Sequence, residues 1–299
     1  MTLSAFVAAE LDRAVLPVIA DAARSIAASL NGEAVLFYGS VLRTADLDGV
    51  LDFYVLRPPG TARGASRRIW PDVSYHEVSV AGRMIRAKVA TMDLDAFERA
   101  AAGRSRDTTI WARFVQPVAL IWVADPATRD RIVDAVAAAA TTAARFAALH
   151  GPARGSAGDY WRNLFRATYA TELRVEAPGR EDQILSYERA RYDALLPLAW
   201  DAGAVAFARD GDALAPALTP SQRRTLASDW SRARRWGKRL NAIRLVKAAF
   251  TFDGATRYAL WKIERHTGLS VPLTPFRERH PLLAAPGVLW RLWQHQAAR

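Results

Sequence analysis

The chain has 299 residues, 51% of them hydrophobic, so it can bury a substantial core in one large or two modest domains. It contains no cysteine, which excludes disulfides and thiolate metal sites and is compatible with a reducing cytoplasm. Its 41 Lys and Arg against 30 Asp and Glu give a formal net charge of +11, which favours phosphate-bearing substrates, nucleic acid or an anionic membrane as partners.

The N-terminal segment, residues 4–30, predicts one or two Ala-rich helices. Apolar residues recur there at helical spacing, and Pro17 is the expected break. Asn31-Gly32 ends the segment, because this dipeptide favours a turn.

The strongest functional signal lies in residues 36–43, Leu-Phe-Tyr-Gly-Ser-Val-Leu-Arg, and in the apolar run 50–56. Gly39 has no side chain, so a phosphate can approach the backbone there, and Ser40 offers a hydroxyl and an N–H. Asp52 stands in an otherwise apolar strand, whose alternation fixes the direction of its carboxylate. The pattern is typical of a nucleotidyltransferase palm, where a triphosphate meets Mg²⁺. A tight turn followed by an edge-strand acid is the alternative interpretation.

A second carboxylate is expected elsewhere, because Tyr54 occupies the position where most nucleotidyltransferases of this type carry their second strand acid. Asp46 and Asp48 in the preceding loop are candidates, and so is Glu77 in the later strand 74–80. Glu77 is the preferred second metal ligand. Its alternative role is that of a solvent-facing acid on an alternating strand.

The following segments predict a mixed sheet with helices packed on it. They are a Gly/Arg-rich loop at 57–68, a hairpin formed by 75–80 and 84–90 with a turn at Ala81-Gly82, a helix from Asp93, a strand at 118–123 and a helix at 130–150. Residues 151–158, rich in Pro, Gly and Ser, form the expected domain boundary. We therefore expect an α+β palm domain over 1–150 and a mainly helical domain over 151–299.

The C-terminal half is basic and rich in tryptophan. Residues 223–247 predict a pair of amphipathic basic helices, and 281–293 combine Leu, Val and Trp with Arg, as a helix in a bilayer interface would. Solvated helix faces, or docking of the second segment on the body of the protein, are the alternatives. No signal peptide is recognised, and no stretch is expected to be long and apolar enough to span a bilayer.

Several motifs resemble, in order, the mitochondrial translocator assembly and maintenance family of phosphatidate cytidylyltransferases and its bacterial relatives. They are Tyr38-Gly39-Ser40, Leu51-Asp52-Phe53, Ile85-Arg86-Ala87-Lys88-Val89 and Trp111-Ala112-Arg113-Phe114-Val115-Gln116-Pro117-Val118. Residues 168–176 and 248–254 resemble the bacterial branch more loosely. That family also lacks the second acid of the alternating pair.

The resemblance implies transfer of a cytidylyl group from CTP to phosphatidic acid, giving CDP-diacylglycerol and pyrophosphate. It implies a magnesium-dependent peripheral membrane enzyme of the cytoplasm, at the inner face of the membrane. Carried over by position, Gly39, Ser40 and Arg43 would bind the nucleotide, Asp52 would hold Mg²⁺, and Lys88 and Arg113 would neutralise phosphate charge. Without the family, Lys88 is equally a strand-edge lysine and Arg113 the partner of an acid.

Two other functions remain open at this point. One is a nucleotidyltransferase with a different acceptor, such as a sugar, another lipid phosphate or RNA. Nucleic acid is the less favoured acceptor because no RNA-binding module is recognised. The other is a noncatalytic membrane-surface protein of the same fold.

Overall fold

The computed structural model describes residues 1–44, 46–64, 69–171 and 179–279, together with positions 286, 287, 290 and 294. It is an α+β structure with a five-stranded mixed sheet, flanking helices and a mainly helical C-terminal region, which confirms the expected fold class. The predicted segments 172–176 and most of 281–293 lie outside the described residues.

The N-terminal segment forms two helices, α1 (Leu3–Leu11) and α2 (Pro17–Ser29). The predicted break is confirmed: Pro17 begins the second helix, where its missing N–H leaves no hydrogen bond unmade. Helix α2 packs with the apolar side chains on one face of the sheet, among them Val35, Phe53 and Val89.

The sheet contains β1 (Ala34–Tyr38), β2 (Leu51–Arg57), β3 (Asp72–Val80), β4 (Arg83–Asp93) and β5 (Val118–Val123) in the order β3-β4-β2-β1-β5. The β2–β4 pair is parallel and the other pairs are antiparallel. In the turn of the predicted hairpin, Ala81 and Gly82 both adopt positive φ, 48° and 77°, as two-residue turns between twisted strands often require.

The second face of the sheet carries the core at one end and polar groups at the other. Tyr54 and Leu56 of β2 are fully buried on this face, and strand alternation places Asp52 on the same side. Three helices follow in this half of the chain: α4 (Leu94–Ala101), α5 (Thr109–Phe114) and α6 (Pro126–His150).

Helix α6 corrects one expectation. By length and composition it is the one helix among the described residues that is long and apolar enough to cross a membrane. Of its most apolar window, 67% is buried inside the fold, and the core helices of many proteins meet the same two criteria. It packs against α1, α4 and α5 and against helices from the later part of the chain.

The later part contains α7 (Ala157–Thr171), α8 (Arg180–Tyr187), α9 (Arg189–Ala202), α10 (Pro220–Thr251), α11 (Ala255–Thr267) and α12 (Pro275–Arg279). One expectation is wrong here, because the predicted basic helix pair is the single helix α10 of 32 residues. A short hairpin that was not predicted, β6 (Ala206–Asp210) with β7 (Ala213–Ala217), also lies between the helices. Gly237 lies inside α10, where a Cβ would come within 2.7 Å of the Thr171 carbonyl oxygen, so it permits close packing and does not break the helix.

The predicted boundary at 151–158 falls between α6 and α7. One hydrophobic cluster nevertheless runs across it, from Leu3 and Phe114 to Trp161, Trp200 and Leu226. The division into residues 1–150 and 151–299 stays a prediction, and the two parts share one core.

Candidate functional site

The Gly-Ser turn at the end of β1 lies directly against Asp52. Gly39 has φ +93°, and a Cβ on it would come within 2.5 Å of Asp52 Oδ2. Only glycine meets both conditions, because other residues are strained at this φ and carry a Cβ. Ser40 begins the short helix α3 (Ser40–Thr44), which also carries Arg43.

Strand pairing brings Asp52 and Lys88 together. Asp52 pairs with Tyr38 on one side and with Lys88 on the other, so the three side chains lie on the same face of the sheet. Burial raises the pKa of Asp52, and the positive charges of Lys88, Arg113 and Arg43 act in the opposite direction. Asp52 is thus a desolvated carboxylate near three cations, all named as site residues from the sequence.

Arg113 reaches this site from α5 and rests on aromatic rings. Its guanidinium lies 5.2 Å from the ring centroid of Tyr38 and 5.8 Å from that of Tyr54. Tyr54 is fully buried and packs edge-on against Phe114 at 5.1 Å. Tyr54, which occupies the position of the second strand acid, is therefore part of the aromatic surface on which the Arg113 guanidinium lies.

These residues surround a cavity of 250 Å³, here called the small cavity. It is lined by Tyr38, Gly39, Ser40, Arg43, Asp52, Lys88, Arg113, Gln116, Pro117, Tyr169 and Ile184. Every predicted catalytic and nucleotide-binding residue lies in its wall. Tyr169 and Ile184 were missed as site residues, because α7 and α8 reach the cavity only through tertiary packing.

The structure does not bring Glu77 to Asp52. Glu77 lies on the edge strand β3, with β4 between it and β2. Its carboxylate accepts a hydrogen bond from the Tyr75 hydroxyl at 3.1 Å and lies 3.7 Å from Arg86 Nε. It does not line the small cavity, so the second acid expected from the sequence is not found beside Asp52.

The other two candidates are also engaged elsewhere. Asp48 pairs with Arg83 at 2.8 Å, and Asp46 lies 3.5 Å from Arg265. Neither aspartate lines the small cavity.

A larger cavity of 390 Å³ adjoins the small one, and the two share Tyr38, Lys88 and Arg113. Its lining comes from β1, β3, β4, α5, α10 and α11 and from the segments that adjoin them. The residues are Tyr38, Pro71, Val73, Lys88, Ala90, Thr109, Arg113, Asn241, Arg244, Leu245, Lys247, Ala248, Thr251, Phe252 and Tyr258.

Two cations of α10 in this lining are held by ion pairs. Arg244 pairs with the buried Asp107, and its Nη1 donates to Thr109 Oγ1 at 3.1 Å. Lys247 pairs with Asp72 and donates to the carbonyl of Ile69. The composition of residues 223–247 predicted a pair of amphipathic basic helices, but it could not identify which of the cations line a cavity.

The small cavity fits a magnesium ion by the chemistry of its donors. Magnesium is commonly held by one or two carboxylates together with substrate phosphates and water. Asp52 supplies one carboxylate, a cation would compensate its desolvation, and the Ser40 hydroxyl lines the same space. Within the described residues, no group of three or more His, Asp or Glu side chains is placed to hold a metal, so the other ligands would be phosphate oxygens and water.

Comparison with models of known protein families and with curated proteins found no match. The resemblance of the sequence motifs therefore stays an expectation, and the function has to be argued from the two cavities.

Proposed function

We propose that this protein is a magnesium-dependent nucleotidyltransferase that uses CTP as donor and phosphatidic acid as acceptor, giving CDP-diacylglycerol and pyrophosphate. The observation that carries the proposal is the small cavity, where a glycine turn, one partly buried carboxylate and three cations converge. Phosphoryl-group transfer requires groups of these kinds, since its catalysis consists of positioning the reactants and stabilising charge. The choice of CTP and phosphatidic acid rests on the motif resemblance.

In the proposed reaction a phosphate oxygen of the acceptor attacks the α-phosphorus of CTP and forms a new P–O bond. The bond from that phosphorus to the oxygen bridging to the β-phosphate breaks, and pyrophosphate leaves with the electron pair. A phosphate monoester is largely anionic near neutral pH, because its second pKa is about 6. No proton has to be removed from it, so the reaction needs no general base.

The chain's residues divide this work between them. The Gly39 backbone gives the triphosphate close access, and Ser40 and Arg43 bind it from α3. Lys88 and Arg113 counter the charge that develops between the two phosphates, and the planar guanidinium of Arg113 suits two-point contact. Asp52 would hold magnesium, which when bound would neutralise charge on the triphosphate.

A membrane-bound acceptor accounts for the surface of α10. Apolar side chains there are exposed, among them Ile243 (45%), Leu245 (63%) and Val246 (61%). The same helix carries Arg234, Arg235, Lys238 and Arg239. Apolar and basic groups together suit binding to anionic lipid headgroups, so we place the protein in the cytoplasm as a peripheral protein on the inner face of the membrane.

The experiment is pyrophosphate release from each of the four NTPs, with Mg²⁺ and phosphatidic acid in mixed micelles. Asp52→Asn is compared with the native chain and with Asp21→Asn, a matched change on the exposed side of α2. We expect release with CTP that requires the lipid, is lost in Asp52→Asn by at least about a hundredfold, and is unchanged in Asp21→Asn.

A noncatalytic membrane-binding protein is the second candidate, and the single carboxylate of the small cavity favours it. It would be supported if no NTP released pyrophosphate although the folded chain bound the micelles. Release that required RNA or a sugar phosphate in place of the lipid would identify a different acceptor.

A further inference from the structure

The larger cavity combines two kinds of surface. The end that it shares with the small cavity is cationic, with Lys88 and Arg113. Away from that end, much of its wall is apolar, with Val73, Ala90 and Phe252. A ligand that fits both ends carries an anionic group on an apolar body.

The described charged side chains that line the larger cavity are all cations, namely Lys88, Arg113, Arg244 and Lys247. Arg244 and Lys247 are already paired with Asp107 and Asp72. Of the described residues that line the larger cavity, none is acidic. Lys88 and Arg113 stand at the end that adjoins the small cavity, so an anion bound at that end lies beside the proposed donor site.

The roof of the cavity is the last third of α10. Asn241, Arg244, Leu245, Lys247, Ala248 and Thr251 all line it. Leu245 both lines the cavity and is 63% exposed, so the cavity reaches the protein surface beside this side chain. An apolar chain can leave the cavity past it.

The opposite end of this roof is tied to the edge strand. The Tyr75 backbone N–H donates to the Asp253 carbonyl at 2.8 Å, and the Tyr75 and Tyr258 rings lie 5.5 Å apart. The cavity is thus enclosed between β3, β4 and α10, with its opening on the side of Leu245.

We propose that the larger cavity is the acceptor site and that it selects a single phosphate monoester carried on an apolar body. The phosphate lies at Lys88 and Arg113, next to the donor triphosphate, and the apolar part runs beneath α10 and leaves past Leu245. This assignment rests on the proposed function for the reaction, but it concerns a different cavity. A nucleic-acid acceptor fits less well, because a chain with one charge per nucleotide would pass along apolar walls.

The test separates acceptor binding from donor binding. Ala248→Phe places a ring in the larger cavity only, whereas Ala242→Phe makes the same change on the exposed side of the same helix. Binding of dihexanoyl phosphatidic acid below its micelle concentration is measured by calorimetry, and binding of a fluorescent CTP analogue with Mg²⁺ by titration. We expect Ala248→Phe to weaken lipid binding at least about tenfold and nucleotide binding less than about twofold, with Ala242→Phe like the native chain in both.

A second variant guards against a folding defect. Val73→Trp fills the same cavity from the edge strand, and the thermal midpoints of all variants are compared with the native value. The proposal is overturned if both filling variants bind the lipid like the native chain while remaining folded.

The ligand series identifies what is recognised. Affinity that rises from inorganic phosphate through glycerol 3-phosphate to dihexanoyl phosphatidic acid supports a phosphate on an apolar body, whereas equal affinities would overturn it. Lipid displacement by an RNA oligonucleotide whose own binding is lost in Ala248→Phe would also overturn it. If the filling variants weaken lipid binding but no NTP releases pyrophosphate, the transferase proposal is contradicted. The assignment of the larger cavity as a site for a phosphate on an apolar body is then kept.

Discussion

At the scale of single residues, the site depends on the close approach of Gly39 to Asp52, which leaves no space for a side chain at position 39. Gly39 follows β1 and Asp52 lies on the neighbouring antiparallel strand β2, and the carboxylate occupies the space that a Cβ at position 39 would need. The glycine therefore leaves Asp52 its position, and under the proposed function it would also give a phosphate access to the backbone.

Gly39→Ala should abolish most of the nucleotidyl transfer. Alanine at this positive φ costs about 1–2 kcal/mol of stability and in addition displaces the Asp52 carboxylate. Gly60→Ala is the matched control, because Gly60 has φ +79° and open space where its Cβ would be. Urea unfolding should show a loss of stability in both variants, and pyrophosphate release should fall only in Gly39→Ala. Equal activities would show that the contact with Asp52 is not needed.

Because Asp52 is desolvated, its negative charge should lower the free energy of unfolding. Its pKa is raised in the folded protein, chiefly by burial, so the folded state binds the proton more tightly than the unfolded chain. The contribution of this group to stability is therefore full below the ordinary pKa of an aspartate and is lost as the pH rises through the raised value.

Asp52→Asn, which keeps the uncharged form at every pH, should accordingly raise the free energy of unfolding at pH 7. The gain should shrink as the pH is lowered through the raised pKa of Asp52 and should be absent below the ordinary pKa of an aspartate. Denaturant unfolding at several pH values measures both. A destabilised Asp52→Asn at pH 7 would mean that the three cations outweigh the burial.

At the scale of elements, α10 is held against the segment that precedes α5 by a buried ion pair. The Asp107 side chain is 1% exposed and that of Arg244 14%, and the guanidinium also lies 4.8 Å from the Trp70 ring centroid. The sequence predicted a basic amphipathic region here but could not predict this pairing, because the two residues lie far apart in the chain and meet only through the fold.

Asp107→Ala should cost about 3–5 kcal/mol, because it leaves Arg244 buried without its counter-charge. Asp21→Ala, which breaks the exposed pair of Asp21 with Arg24, should cost no more than about 1 kcal/mol. The double change Asp107→Leu with Arg244→Met should recover much of the loss, since it removes both charges together. Chemical denaturation of the three variants measures the difference, and a cost for Asp107→Ala as small as that for Asp21→Ala would contradict this anchoring role.

The elements that the sequence did not predict have physical explanations as well. The strands of β6 and β7 are rich in alanine, a weak strand former, and Asp210-Gly211-Asp212 alone marks their turn. The hairpin is held by tertiary contacts instead. Gly155 and Leu214 exchange backbone hydrogen bonds, and the Tyr160 hydroxyl donates to the Leu214 carbonyl at 2.8 Å.

At the scale of the whole molecule, the sequence predicted most of the polar lining of the small cavity but not how the larger cavity is assembled. Gly39, Ser40, Arg43 and Asp52 lie close together in the sequence, in a pattern whose spacing already implies convergence. The larger cavity needs β3, β4 and α10 at once, and α10 begins at Pro220, far along the chain from the end of β4 at Asp93. The local sequence pattern carries no information about contacts between segments that lie so far apart in the chain.

Among the described residues, helix α10 lines one cavity and not the other, and this has a consequence for how substitutions can change the protein. Helix α10 supplies much of the roof of the larger cavity, whereas the described lining of the small cavity ends at Ile184 and includes none of that helix. Substitutions confined to α10 can therefore reshape the larger cavity while the small cavity keeps its composition. Under the proposed function, descendants of this chain would exchange one lipid phosphate for another through a single helix and inherit the same donor site.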